Sequence, residues 1–139
     1  MRKTQPISLR LRPDLLSEVK RLAARLRRPK SQVLESLIDE AIRVHRCPGI
    51  VFADGPTGRR AVVAGTGIDV WEVVRVHRSC GENLDALVEA LPHLSRRQLE
   101  AALHYYRCYP REIDERLALE DEREQELLRG FPAGRVYQA

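Results

Sequence analysis

The stretch ISLRLRPDLLSEVKRLAARLRRPKSQVLESLIDEAI, residues 7–42, decides the fold. Over residues 7–11 apolar and polar side chains alternate. At the two-residue period of a strand this puts Ile7, Leu9 and Leu11 on one face and Ser8 and Arg10 on the other. Pro13 and Asp14 then open a helix: Pro lacks an amide N–H where none would be bonded, and Asp complements the positive end of the helix dipole. Leu15, Leu16, Val19, Leu22, Ala23 and Leu26 recur at three and four, forming one apolar stripe. Arg27-Arg28-Pro29 ends it, because the residue before Pro is pushed out of the helical region. A second helix is predicted over residues 30–45, with Val33, Leu34, Leu37, Ile38, Ala41 and Ile42 on one face. Residues 1–46 are too few to bury a sufficient core alone, and a single strand leaves its backbone groups open. Both problems are solved by a homodimer in which residues 7–11 of two copies pair antiparallel and four apolar helix faces are pooled.

This stretch resembles a ribbon-helix-helix DNA-binding domain, the class found in bacterial repressors and many antitoxins. The resemblance lies in the alternating strand, the Pro-Asp helix start and Ser-Gln-Val-Leu at residues 31–34. Arg27 stands near where that class usually turns on Gly, and Pro29 where many members carry a Ser or Thr cap. The ribbon of such a domain enters the major groove of double-stranded DNA. Ser8 and Arg10 would then face base edges, with Lys3 and Arg12 extending that face, and the first amides of the second helix, at Lys30 and Ser31, would meet phosphate.

Charge is segregated in the same sense. Residues 1–46 hold 12 Lys and Arg against 5 Asp and Glu, residues 47–109 hold 7 against 7, and residues 110–139 hold 5 against 8. A genome rich in G and C explains why Arg outnumbers Lys, but not why the positive excess sits in the first third. No apolar run reaches the roughly 18 residues of a membrane span, and the first residues lack the apolar segment of a signal peptide, so a cytoplasmic protein without membrane contact is expected. Three cysteines, an odd number, suggest no disulfide framework. With 5% aromatic residues, the core must come from Leu, Val, Ile and Ala.

Beyond Cys47-Pro48-Gly49, residues 50–52 and 61–63 flank Asp54-Gly55-Pro56-Thr57-Gly58, a hairpin with a five-residue connection. Helices are predicted over residues 70–78 and 84–91, and Ser95 with Gln98 forms a capping box opening a third that ends near Tyr106. PGIVFADGPTGRRAVVAGTGIDVWEVV and LPHLSRRQLEAALHYYRCYPREIDE resemble the domain of unknown function four-three-three, over roughly residues 47–115. That resemblance implies a helix-turn-helix-like domain of the kind found in antitoxins encoded beside PIN-like ribonuclease toxins. Gly67 departs from its pattern, which usually has Arg between Gly-Thr and Ile. From Pro110 a charged helix with few apolar positions runs to Arg129-Gly130 and has little to bury on its own. The last residues resemble the partner-binding tails of antitoxins, with Phe131, Arg135, Val136 and Tyr137 as anchors for a toxin.

The expected fold is thus mainly α with short β: a ribbon-helix-helix at 1–46, a β-hairpin with a helix-turn-helix-like helical domain at 47–109, and a helical tail at 110–139. Catalysis is not expected. No nucleophile and base stand at an informative spacing, Gly65-Thr66-Gly67 alone is a weak phosphate loop, and the acids between Glu120 and Glu126 read as a solvated helix face. His77-x-x-Cys80 and His104-x-x-x-Cys108 have zinc-compatible spacings, yet both cysteines follow helix ends where a small apolar residue is ordinary, so no metal and no cofactor are expected. The function these readings favour is that of a type II antitoxin and autorepressor. The alternative is a stand-alone transcription regulator with two DNA-contacting domains.

Overall fold

The computed structural model describes residues 4–56 and 58–130. Its elements are helices α1 (Pro13–Leu26) and α2 (Lys30–Arg46), strands β1 (Ile50–Gly55) and β2 (Gly58–Val63), and helices α3 (Val70–Ser79), α4 (Leu84–Ala90), α5 (Arg96–Cys108) and α6 (Pro110–Gly130). This is the mainly α architecture with short β that the periodicities predict. The chain divides between Arg43 and Val44 into two compact units.

In the first unit Pro13 stands in the first turn of α1, and Val19 and Ala23 are buried on its inner stripe. The helix ends at Arg27, whose φ of 53° and ψ of 44° are left-handed. There the amides of Arg27 and Arg28 return to the carbonyls of Ala24 and Ala23. A glycine turn is therefore made here by arginine, and Pro29 follows because its carbonyl can accept from the amides of Gln32 and Val33 to start α2. The strand expected over residues 7–11 is not formed within the single chain: the only sheet among the described residues is β1 with β2. A strand exists only as a member of a ladder, and these residues have no ladder partner among the described residues.

The second unit opens with the hairpin. Its register pairs Ile50 with Val63 and runs to Gly55 with Gly58, so the ladder extends into the stretch expected as a five-residue connection. Asp54 and Arg59 face each other and form a 3.0 Å ion pair, which carries pairing into residues that in isolation read as turn formers. After β2, Thr66 closes the loop, its hydroxyl donating to the Val63 carbonyl at 2.8 Å and accepting from the Ile68 amide at 3.0 Å. Gly65-Thr66-Gly67 is thus a structural turn. At the head of α3 the buried Asp69 accepts from Trp71 Nε1 at 2.9 Å and from the Arg60 guanidinium, while Glu72 Oε2 accepts from the Asp69 amide.

The core joins Ile50 and Val63 of the hairpin with Val70, Val73 and Val74 of α3, Leu87 of α4, and Leu99, Ala102, Leu103 and Tyr105 of α5. It also includes Ile113 and Leu117 of α6, which corrects the expectation that the charged helix has little to bury. Its few apolar residues are spaced to meet α3 and α5 over the first two turns. α5 runs to Cys108 rather than Tyr106, one more half-turn.

Two substitutions test these local arguments. Arg27→Gly should stabilise the chain by about 0.5–1 kcal/mol, the left-handed strain relieved less the entropy a glycine loses on folding. Asp69→Ala strands the Trp71 N–H and the mostly buried Arg60 guanidinium and should cost about 2–4 kcal/mol. Urea unfolding at fixed protein concentration reads both, and a neutral Asp69→Ala would remove the helix-head network from the account of stability.

Candidate functional site

The sequence directs attention first to the basic first unit. Ser8, Arg10, Arg12, Lys30 and Ser31 are all exposed. Among the described residues Arg10 has no ion-pair partner, whereas Arg12 is held 3.3 Å from Asp14, which partly neutralises it. The amides of Lys30 and Ser31 precede the first ones bonded to the Pro29 carbonyl, so they point outward from the start of α2. Lys3 lies outside the described residues, as do Phe131, Arg135, Val136 and Tyr137.

The apolar side of this unit is only partly covered. Val19, Ala23 and Val33 are buried, yet Ile7 is 80% exposed, Leu9 57%, Ile38 46% and Ile42 57%. These residues carry the strand alternation and the helix stripes read from the sequence. On α1 Leu15 and Leu26 are exposed as well, so the apolar stripes of both helices face water in part.

In the second unit α6 is clamped to α3 and α5 by polar contacts. Arg78 donates to Asp114 and to the Tyr106 hydroxyl, each at 2.7 Å, and Tyr106 donates to Asp114 at 2.7 Å. Farther along, Arg75 pairs with Asp121 at 3.2 Å, and the guanidinium carbons of Arg75 and Arg116 lie 5.1 and 5.7 Å from the Trp71 ring centre. The hydrogen bond from Tyr106, followed by the one from Arg78, holds the Asp114 carboxyl below the usual carboxylate range. Donating to Asp114 raises the Tyr106 phenol above its ordinary value. Tyr105 is fully buried, with its ring centre 6.3 Å from that of Phe52. Tyr106 packs against the same core and adds hydrogen bonds through its hydroxyl.

The four-residue constellation His77, Cys80, His104 and Cys108 is not assembled. The set that converges among the described residues is Cys47, His104 and Cys108. His104 and Cys108 share a face of α5 one turn apart, as their spacing implies. Cys47 comes from the turn after α2, and only the fold brings it there, so local spacing could not reveal it. None of the three is in a disulfide.

Residues 50–106 match the family described as "Protein of unknown function (DUF433)". The match begins at the first residue of β1 and ends inside α5, leaving α1, α2 and α6 outside it. No curated protein and no solved structure matches the chain. No described helix is long and apolar enough to cross a membrane.

The clamp at Asp114 has a defined pH dependence. Because the folded carboxyl is held low, its stabilising contribution is present above the ordinary carboxylate range and is lost as pH falls through the lowered folded value. Asp114 is half-exposed, so the contribution should be about 0.5–1 kcal/mol, as for surface pairs. Asp114→Asn should therefore lower the melting temperature at neutral pH, and the gap to the parent chain should close below about pH 4. A gap unchanged by acid would assign the effect to packing.

Proposed function

We propose that the chain is the antitoxin of a type II toxin–antitoxin pair, repressing its own operon by binding operator DNA and neutralising a PIN-like ribonuclease. The observation that carries the reading is the pairing, in one basic segment, of exposed Ile7 and Leu9 with the exposed stripe residues Leu37, Ile38 and Ile42. A second copy covers both at once, forming an antiparallel ribbon from residues 7–11. The ribbon's other face then presents Ser8 and Arg10, and with Lys3 and Arg12 it fits a major groove. The amides of Lys30 and Ser31 flank it and meet phosphate.

The toxin half is supported by the resemblance of residues 47–115 to domains found beside such toxins and by the acidic character of residues 110–139. Glu122, Glu124 and Glu126 project from the exposed end of α6, where an acidic surface complements the basic groove of an RNA-cleaving partner. The anchors Phe131, Arg135, Val136 and Tyr137 follow directly.

Fluorescence anisotropy with the DNA upstream of the chain's own gene tests the first half. Affinity should fall steeply with salt, because Lys and Arg release counterions from phosphate. Arg10→Ala should cost about 1–3 kcal/mol on the operator and less on random duplex; equal losses would reduce Arg10 to a phosphate contact. For the second half the cut must spare Ile113 and Leu117, so it belongs after Gly130. A chain ending at Gly130 should still bind operator and lose neutralisation of the neighbouring toxin. A pull-down from the native host that yields no ribonuclease would favour the stand-alone regulator.

A further inference from the structure

We propose that Cys47, His104 and Cys108 form a binding site for one divalent transition-metal ion of zinc type. The scaffold is built by contacts that do not involve the three side chains. Helix α2 ends at Arg46, and the Cys47 carbonyl accepts from the Ile50 amide at 3.2 Å, closing the turn Cys47-Pro48-Gly49. Gly49 has a φ of +93°, and a Cβ there would lie 3.2 Å from that of Ala101, so glycine lets this turn press against α5. The Gly49 carbonyl accepts from the Ala64 amide at 2.9 Å, tying the same turn to the end of β2. Ala101, His104 and Cys108 follow one another along a single face of α5 at helical spacing. The turn that carries Cys47 is therefore held on the stripe that carries the other two.

The side chains meet accordingly. The three ligand atoms lie within 4.8 Å of one another, and His104 Nε2 is 3.7 Å from Cys108 Sγ. In a tetrahedral site with Zn–S near 2.3 Å and Zn–N near 2.0–2.1 Å, ligand atoms stand about 3.5–3.8 Å apart. The histidine–thiol distance already meets this, and small side-chain rotations bring the third atom in. His104 Nε2 also lies 3.4 Å from the Arg46 carbonyl oxygen, so without metal its N–H donates there, and binding an ion releases that proton and turns the ring from the carbonyl towards the two sulfurs. Two sulfurs and one imidazole nitrogen, with no carboxylate in the group, select a borderline or soft ion over calcium or magnesium. Cys47 is fully buried while His104 is exposed, so the fourth coordination position opens to water on the His104 side.

The site is independent of the DNA-binding reading, and Cys47 and Cys108 fall outside the stretch matched by the family, so it is a property of this chain. It departs from the expectation of no metal because that expectation weighed His77 and Cys80 as the partners. Its effect would be to fasten the residue directly after α2 to the last turns of α5.

Cobalt(II) titration of the full chain, prepared with chelator and a non-thiol reductant, tests the proposal. One ion per chain should bind, with thiolate-to-cobalt charge transfer and the intense visible bands of a tetrahedral site, and equimolar zinc should bleach them. Zinc should also raise the melting temperature. Because Cys47 is buried, the decisive variants are His104→Ala and Cys108→Ser, at exposed and half-buried positions where folding can be verified by circular dichroism. Loss of outer partners alone weakens metal sites about 10- to 100-fold, so each variant should lose at least about 100-fold in affinity. His77→Ala and Cys80→Ser should bind as the parent does. Weak octahedral bands, unchanged binding in His104→Ala or Cys108→Ser, or loss in Cys80→Ser would each overturn the proposal.

Discussion

Everything in the second unit depends on the burial of one face of α5. Leu99, Ala102 and Tyr105 are wholly removed from water, and α3, α4, α6 and the hairpin all pack around that face. Tyr105 is the pivot, because an aromatic ring buried at this depth must bring its hydroxyl to a partner. It donates to Glu112, in the first turn of α6, at 2.5 Å. A single side chain thus links the apolar centre to the charged helix, and the ring of Tyr109, 4.9 Å from that of Tyr105, extends the contact to the corner between them.

The first unit is built on the opposite balance. Its helices are well formed, with a proline start and a left-handed end, but Val19, Ala23 and Val33 are the only buried residues they supply. Local signals specify the elements and leave the core incomplete. Arg21 and Arg25 line the same groove as Leu15, Leu22 and Leu37, so charge and apolar stripe meet along this helix pair.

Most of the helices could be read directly, because their boundaries are set by chemistry local to them: Pro13, the Arg27-Arg28-Pro29 break, Ser95 with Gln98, and Pro110. The hairpin's reach was hidden because Asp54 and Gly55 were judged by turn preference, whereas the ladder continues through them to pair with Arg59 and Gly58. The packing of α6 was hidden because Ile113 and Leu117 are sparse in sequence yet correctly phased towards α3 and α5. The candidate site was half legible. His104 and Cys108 announce themselves at helical spacing, and Cys47 does not, since its approach depends on Gly49 passing close to Ala101. The residues proposed to read DNA were legible from alternation and charge, and their ribbon needs a second chain to exist.

The length of α6 carries its far end well away from the core. Its last buried residue is Leu117, and every residue from Asp121 to Gly130 is exposed. At 1.5 Å of rise per residue, Gly130 stands roughly 20 Å beyond the final core contact, more than two Debye lengths at physiological salt. Charge changes at the far end are therefore screened from the Arg78, Tyr106 and Asp114 cluster. Substitutions along this outer stretch can therefore change its charge while leaving the ion pairs of the folded body as they are.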